Sequence, residues 1–237
     1  MFHIYVWGST SMYRRAMQGF AMKTMIENLL PEEIEKRSFE IIEKELRERG
    51  VYDPQSPYNP ILKRVIHTSA DFEYVDNLSI SPTALERAFA ALKGGAVIVT
   101  DTNMAKSGIN KAALNRLGCE VHCYMADEDV AKEAKLRGVT RALVSMEKAA
   151  KLNKKLIFAI GNAPTALIRL YELIEEGVLS PELIIGVPVG FVNVVESKEL
   201  IIKTNIPYIV AKGRKGGSNV AACICNALLY MLDDNKM

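Results

Sequence analysis

Two groups of residues in this chain have the types and spacing to do chemistry. The first is Gly213-Arg-Lys-Gly-Gly-Ser218, which follows the apolar run Tyr208-Ile-Val-Ala and leads into an apolar stretch beginning at Val220. Gly213, Gly216 and Gly217 let the backbone turn tightly and come close to a ligand, Ser218 suits a helix N-cap, and the helix start offers unpaired N–H groups. Lys212, Arg214 and Lys215 add positive charge, so the segment reads as an anion-holding corner. The plain alternative is a strand-to-helix turn with solvated lysines. The second is His67, which closes the run Arg64-Val-Ile-His-Thr68 and is followed by Ser69 and Asp71. With Thr68, Ser69 and Asp71 to fix its tautomer, an imidazole there could exchange protons near neutral pH; a structural histidine is the alternative.

Three weaker candidates accompany them. Gly161-Asn-Ala-Pro-Thr165 sets Asn162 in front of a helix with proline in its first turn, which could equally be a plain cap. Arg141 lies near a helix start, where a cation opposes the dipole unless an anion holds it. Ser38 interrupts the apolar stripe Ile34, Ile42 and Leu46 of a charged helix over 32–49, which suggests a buried hydroxyl with a partner or one bonded back to its own helix.

Such residues need a scaffold that brings them together. Helix 32–49 closes at Gly50, and a linker with Pro54, Pro57 and Pro60 follows. Short apolar runs then recur at 64–68, 96–100, 121–125, 156–161, 183–189 and 208–212, each trailed by a helical pattern. This predicts an α/β fold: a mainly parallel β-sheet with helices on both faces, three layers in one domain over 26–237. Ligands in such sheets bind beyond the carboxyl ends of the strands, where His67, Thr100-Asp-Thr-Asn103, Gly161–Thr165, Pro188–Gly190 and Gly213–Ser218 would converge.

Composition narrows the function classes. A net charge of +2 over 237 residues provides no global field for nucleic acid, so anion recognition has to be local. No apolar run approaches the ~20 residues of a membrane span. The four cysteines suit neither a disulfide framework nor a metal site: Cys119 and Cys123 would lie roughly 13 Å apart along a strand, and Cys223 and Cys225 point to different sides of a helix. Reduced, buried thiols in a cytoplasmic protein are the expectation. No G-x-G-x-x-G follows the first strand and no G-x-x-x-x-G-K-[ST] occurs, which disfavours a nucleotide-dependent enzyme. Residues 1–25 hold five of the ten methionines and the single tryptophan, with the apolar Phe2–Trp7 ahead of Arg14 and Arg15. They read as a weakly ordered extension with Met22 or Met25 as working start, a mitochondrial-type presequence being the alternative.

Five segments in order resemble the precorrin-8X methylmutase family: Ile34-Glu-Lys-Arg-Ser-Phe-Glu-Ile-Ile42, Arg64-Val-Ile-His-Thr68, Ile160-Gly-Asn-Ala-Pro-Thr-Ala-Leu167, Gly186-Val-Pro-Val-Gly-Phe-Val192 with Glu196-Ser-Lys198, and Gly213–Ser218. Asp101-Thr-Asn-Met104 with Gly108 keeps a further family frame, with Lys106 as another cation. The resemblance runs from about Pro31 to Leu229 and leaves the front extension outside. It implies an isomerase that moves a methyl group from C11 to C12 of precorrin-8X or cobalt-precorrin-8 in cobalamin biosynthesis, with no cofactor, any cobalt belonging to the substrate. It implies His67 as proton donor and acceptor, and Ser38, Asp101, Met104, Arg141, Asn162, Lys212, Arg214, Lys215, Gly216, Gly217 and Ser218 around the tetrapyrrole; Val187, Val189, Phe191 and Met104 suit its apolar floor, ordinary core being the alternative for each. It also implies a homodimer, with no nucleic-acid or membrane partner. A polycarboxylate substrate fits scattered cations and backbone donors better than a globally basic protein. A non-catalytic corrinoid carrier with the same pocket is the competing class.

Overall fold

The computed structural model describes Glu27 and residues 29–232; the expected extension over 1–25 lies outside the described residues. The chain divides at Arg37 into two units, and helix α1 (Pro31–Glu48) crosses the division. Before the division, Arg37 holds Glu27 through two hydrogen bonds of 2.8 Å. Of the stripe read from the sequence, Ile42 and Leu46 are buried and Ser38 is half-buried, whereas Ile34 is exposed.

The second unit holds a six-stranded sheet. Its strands are β1 (Leu78–Ile80), β2 (Val97–Thr100), β3 (Glu120–His122), β4 (Leu156–Ile160), β5 (Leu183–Gly186) and β6 (Tyr208–Ala211), in the spatial order β1-β6-β5-β4-β2-β3. All neighbours pair parallel except β1, which runs antiparallel to β6 with Ser79 opposite Val210. Between the strands come α2 (Asn59–Ser69), α3 (Tyr74–Asn77), α4 (Ala84–Lys93), α5 (Asn103–Gly108), α6 (Lys111–Arg116), α7 (Glu128–Arg137), α8 (Arg141–Ala150), α9 (Pro164–Glu175) and α10 (Val194–Lys203), and α11 (Ser218–Tyr230) follows β6.

The sheet is apolar on both faces because helices cover both. Ile98, Ile157, Ala159, Ile185 and Ile209 pack with residues of α2, α4, α5, α6 and α11. The alternate residues Val97, Val99, Phe158, Ile160, Ile184 and Val210 pack with α8, α9 and α10. This period-two division follows from successive side chains pointing to opposite faces of a strand. Each fully buried Leu or Ile contributes roughly 1.5–3 kcal/mol, so the two cores fix the positions of the strand ends. After β3 the chain crosses back over β2 to lay down β4, and the connecting helices change face there. The carboxyl ends of β2 and β4 therefore flank the topological switch point, where open α/β sheets form their ligand crevice.

The run 64–68 is helical, and an overlooked three-residue strand, Leu78–Ile80, takes the edge. Pro60 starts α2 with a fixed φ, and Ile61, Val65 and Ile66 fall on one buried stripe at helical spacing. A five-residue window containing Val65 and Ile66 fits either period; eleven residues favour the helix. The helix stops at Ala70, which takes the left-handed conformation at φ 53° and donates its N–H to Ile66 O at 2.7 Å.

Candidate functional site

Four loops meet beyond the carboxyl ends of β2, β4, β5 and β6. Asp101, directly after β2, is fully buried. Its carboxylate accepts the N–H groups of Gly161, Asn162 and Ala163 at 2.9, 2.8 and 2.6 Å, bridging the switch point to the turn that starts α9. Burial pushes its pKa up, against the pull of those three donors. With both oxygens committed inside the protein, Asp101 shapes the turn and does not face a ligand. Pro164 opens α9 at the expected position. Asn162 donates its N–H inward and leaves its side chain exposed on the rim.

Gly161 and Gly216 are glycines for lack of space. A Cβ on Gly161 would come within 2.7 Å of Gly217 O and Ser218 Cα, and one on Gly216 would lie 2.0 Å from Val187 O. The β6 loop is thereby seated on the ends of β4 and β5, and Gly217 N donates to Val187 O at 2.9 Å while Gly190 N donates to Arg214 O at 3.3 Å. The helix begins one residue earlier than a Ser218 cap requires: Gly217 is the N-cap, and Ser218 instead accepts a 2.8 Å hydrogen bond from Thr102, itself the N-cap of α5.

The cations of the loop have different fates. Lys215 pairs with Asp71 and Glu73, which tie the segment after α2 to the glycine loop. Those bonds hold the lysine's pKa up and that of Asp71 down. Arg214 is exposed, with its guanidinium 5.4 Å from the centre of the Phe191 ring, and Lys212 is exposed at the end of β6. Arg141 is exposed at the first turn of α8, next to Thr140, which meets Thr165 of the β4 turn at 2.9 Å. Of the expected floor, Val189, Phe191 and Met104 are 49, 81 and 70 % exposed. Val187 is fully buried and belongs to the core.

His67 lies in the last turn of α2 with its ring exposed. It meets the Phe39 ring edge-on, 5.5 Å between centres, and lines a depression of about 200 Å³ with Ser38, Ile42, Ile66 and Phe72. The residues expected to fix its tautomer do other work. Ser69 donates to Val65 O, Asp71 pairs with Lys215, and Thr68 bonds to the buried Cys223 thiol. Among the described residues neither the His67 ring nitrogens nor the Ser38 hydroxyl has a hydrogen-bond partner, so both are available to a ligand. Ser38 thus neither bonds back to its helix nor is fully buried, contrary to expectation. His122, on the edge strand, bonds Glu120 at 2.8 Å and stacks on Tyr124, away from these loops. All four cysteines are buried, and burial drives Cys223 up to about 11.

Beneath the glycine loop lies a buried lysine whose place the family motif Glu196-Ser-Lys198 does not explain. Lys198 on α10 is 1 % exposed and donates to the carbonyls of Gly213 and Lys215, each at 2.8 Å. Its signal was legible: Val194, Ser197, Lys198 and Ile201 form the buried stripe of α10 at helical spacing, and a lysine on such a stripe demands a partner.

The precorrin-8X methylmutase family model matches residues 33–231. The chain is 48% identical over 207 residues to a protein of Salmonella typhimurium named cobalt-precorrin-8 methylmutase, covering 85% of this chain and 96% of that one. A protein of the same name from Priestia megaterium is 45% identical over 203 residues, covering 86 and 89%. The crystal structure of precorrin-8x methyl mutase from Thermus thermophilus superposes with a TM-score of 0.77 at 36% identity, covering 86% of this chain and 97% of the other. The chain carries the family's fold over its whole described sheet, and it belongs to the precorrin-8X methylmutase family.

Proposed function

We propose that this isomerase moves the methyl group of cobalt-precorrin-8 from C11 to C12 in the cytoplasm, with His67 as the proton donor and acceptor. The observation that carries the assignment of His67 is its exposed imidazole beside the unbonded Ser38 hydroxyl in one apolar depression. A proton delivered to the conjugated ring makes the migrating carbon leave a more electron-poor system, which is general acid catalysis. The same nitrogen takes the proton back once the methyl has moved, so no redox or group-donor cofactor is called for. Arg214, Lys212, Arg141, Asn162 and the N–H groups of the glycine loop would receive the acetate and propionate carboxylates, while Phe191, Val189 and Met104 offer apolar contact. The cobalt form is favoured because the relatives at 45 and 48% identity carry that name.

At about 200 Å³ the depression is smaller than the roughly 300–1,000 Å³ of pockets that enclose drug-sized ligands, so it takes an edge of the macrocycle. We therefore propose a homodimer in which a second copy completes the enclosure. Absorption spectra of wild type and His67→Ala, mixed anaerobically with precorrin-8X and with cobalt-precorrin-8, test the chemistry. Conversion by wild type alone supports it, and the faster substrate decides on cobalt. Binding without conversion by either protein would leave a corrinoid carrier. Light scattering tests the dimer; a monomer that turns over at full rate rules it out.

A further inference from the structure

Lys198 presents an energetic problem. A buried ammonium is normally paired with a carboxylate, since leaving water uncompensated is costly. Here, among the described residues, the partners of the Nζ are two carbonyl oxygens, Gly213 and Lys215, both in the glycine loop. Burial without a counter-charge brings its pKa down to about 8. An apolar side chain could fill this buried position, as Val194 and Ile201 fill theirs on the same helix.

The geometry of the peptide unit supplies the reason for a lysine. In a trans peptide the C=O of one residue and the N–H of the next point in opposite directions. Drawing the carbonyls of Gly213 and Lys215 inward onto one ammonium turns the N–H groups of Arg214 and Gly216 outward, toward the rim. Neither N–H has a partner among the described residues. The peptide between them is fixed separately, because Arg214 O accepts from Gly190 N, and Gly216 is locked against Val187. The loop thus shows two free donors to the outside with a positive charge directly behind them, the arrangement that favours a carboxylate.

We infer that Lys198 is a positioning residue: it holds the Gly213–Gly217 loop so that the Arg214 and Gly216 N–H groups receive a carboxylate of the substrate, and it adds its charge from behind. The inference rests on the proposed function, since it deepens the reading of the loop as a substrate contact. Steady-state kinetics on cobalt-precorrin-8 with Lys198→Met, Lys198→Gln and Lys198→Arg provide the test. Lys198→Met should raise KM about 10- to 100-fold while kcat changes less than about threefold, because the lost interaction is with a remote carboxylate and not with the migrating methyl. Lys198→Gln, which keeps a donor without charge, should fall between, and Lys198→Arg should recover part of the affinity. Equal KM across folded variants, or an equal loss in kcat and kcat/KM, overturns the inference while leaving the isomerase reading intact. Absence of conversion by wild type would overturn that reading instead. Should none of the variants fold, amide hydrogen exchange on wild type with and without the rearranged product decides: slowed exchange at Arg214 and Gly216 is expected, and unchanged exchange at both sinks the proposal.

Discussion

The rim of glycine loops and the depression at His67 are built on opposite plans. At the base of the rim the polar groups are tied within the protein, Asp101 to three N–H groups, Thr102 to Ser218, Lys198 to two carbonyls and Gly217 to Val187, while Arg214, Lys212, Arg141 and Asn162 stay exposed above them. In the depression Glu45 is held by Arg49, but His67 and Ser38 have no internal hydrogen bond among the described residues and sit against Ile42, Ile66 and Phe72. The tied groups of the rim are in place before any ligand arrives, so under the proposed function its fixed donors would bind at little ordering cost. The depression leaves the His67 ring without an internal partner, as the proton transfer proposed for it requires.

This contrast can be broken from either side. His67→Ala should lower turnover by roughly 10²- to 10⁴-fold, the usual share of general acid catalysis, with thermal stability within about 0.5 kcal/mol of wild type because the ring is exposed. Kinetics and a thermal melt on the same sample check both halves, and a large loss of stability would show the depression to be structural after all. Gly216→Ala attacks the rim and should do the reverse. Its Cβ would lie 2.0 Å from Val187 O, so the loop must leave its seat, costing about 3–5 kcal/mol of stability in chemical denaturation and most of the substrate affinity.

Asp101→Asn comes next in size. The amide keeps the shape but turns one acceptor oxygen into an NH₂ facing an N–H donor, a loss of about 2–3 kcal/mol, measurable as a lower denaturation midpoint. The smallest effect belongs to Lys215 and Asp71, which link the two regions. Asp71 titrates below its ordinary value in the folded protein, so its share of stability is complete above the unfolded value of about 3.9 and is lost as pH falls through the folded one. Lys215 titrates above its ordinary value, so its share is complete below about 10.4 and is lost as pH rises further. The melting-temperature difference between wild type and Asp71→Asn should be flat between these limits and shrink below about pH 4. A difference independent of pH would mean that the link is steric.

The rim was legible because its signals are local. Five of the six predicted strands are present at β2, β3, β4, β5 and β6, since continuous apolar runs bounded by glycine, proline or polar residues mark buried parallel strands. Pro164 and the glycine spacing at 213, 216 and 217 then placed the turns at their ends. The element under His67 was misread because two adjacent apolar residues, Val65 and Ile66, satisfy both periods over a short window. Leu78-Ser-Ile80 escaped because three residues carry no period at all, and their strand state comes from pairing with β6. Asp101 and Lys215 looked like ligand contacts for the same reason: residue type shows what a side chain can bind and not which partner reaches it first.

The sequence by itself determined the family, the α/β class and the strand ends that carry the glycine loops, because these depend on residue types and short-range periodicity. Only the tertiary structure decided that Asp101 turns inward to the β4 turn, that Lys215 pairs with Asp71 and Glu73 and that Lys198 sits beneath the glycine loop. Those outcomes depend on partners 15 to 144 positions apart in the chain, brought within hydrogen-bonding distance by packing two apolar cores against one sheet.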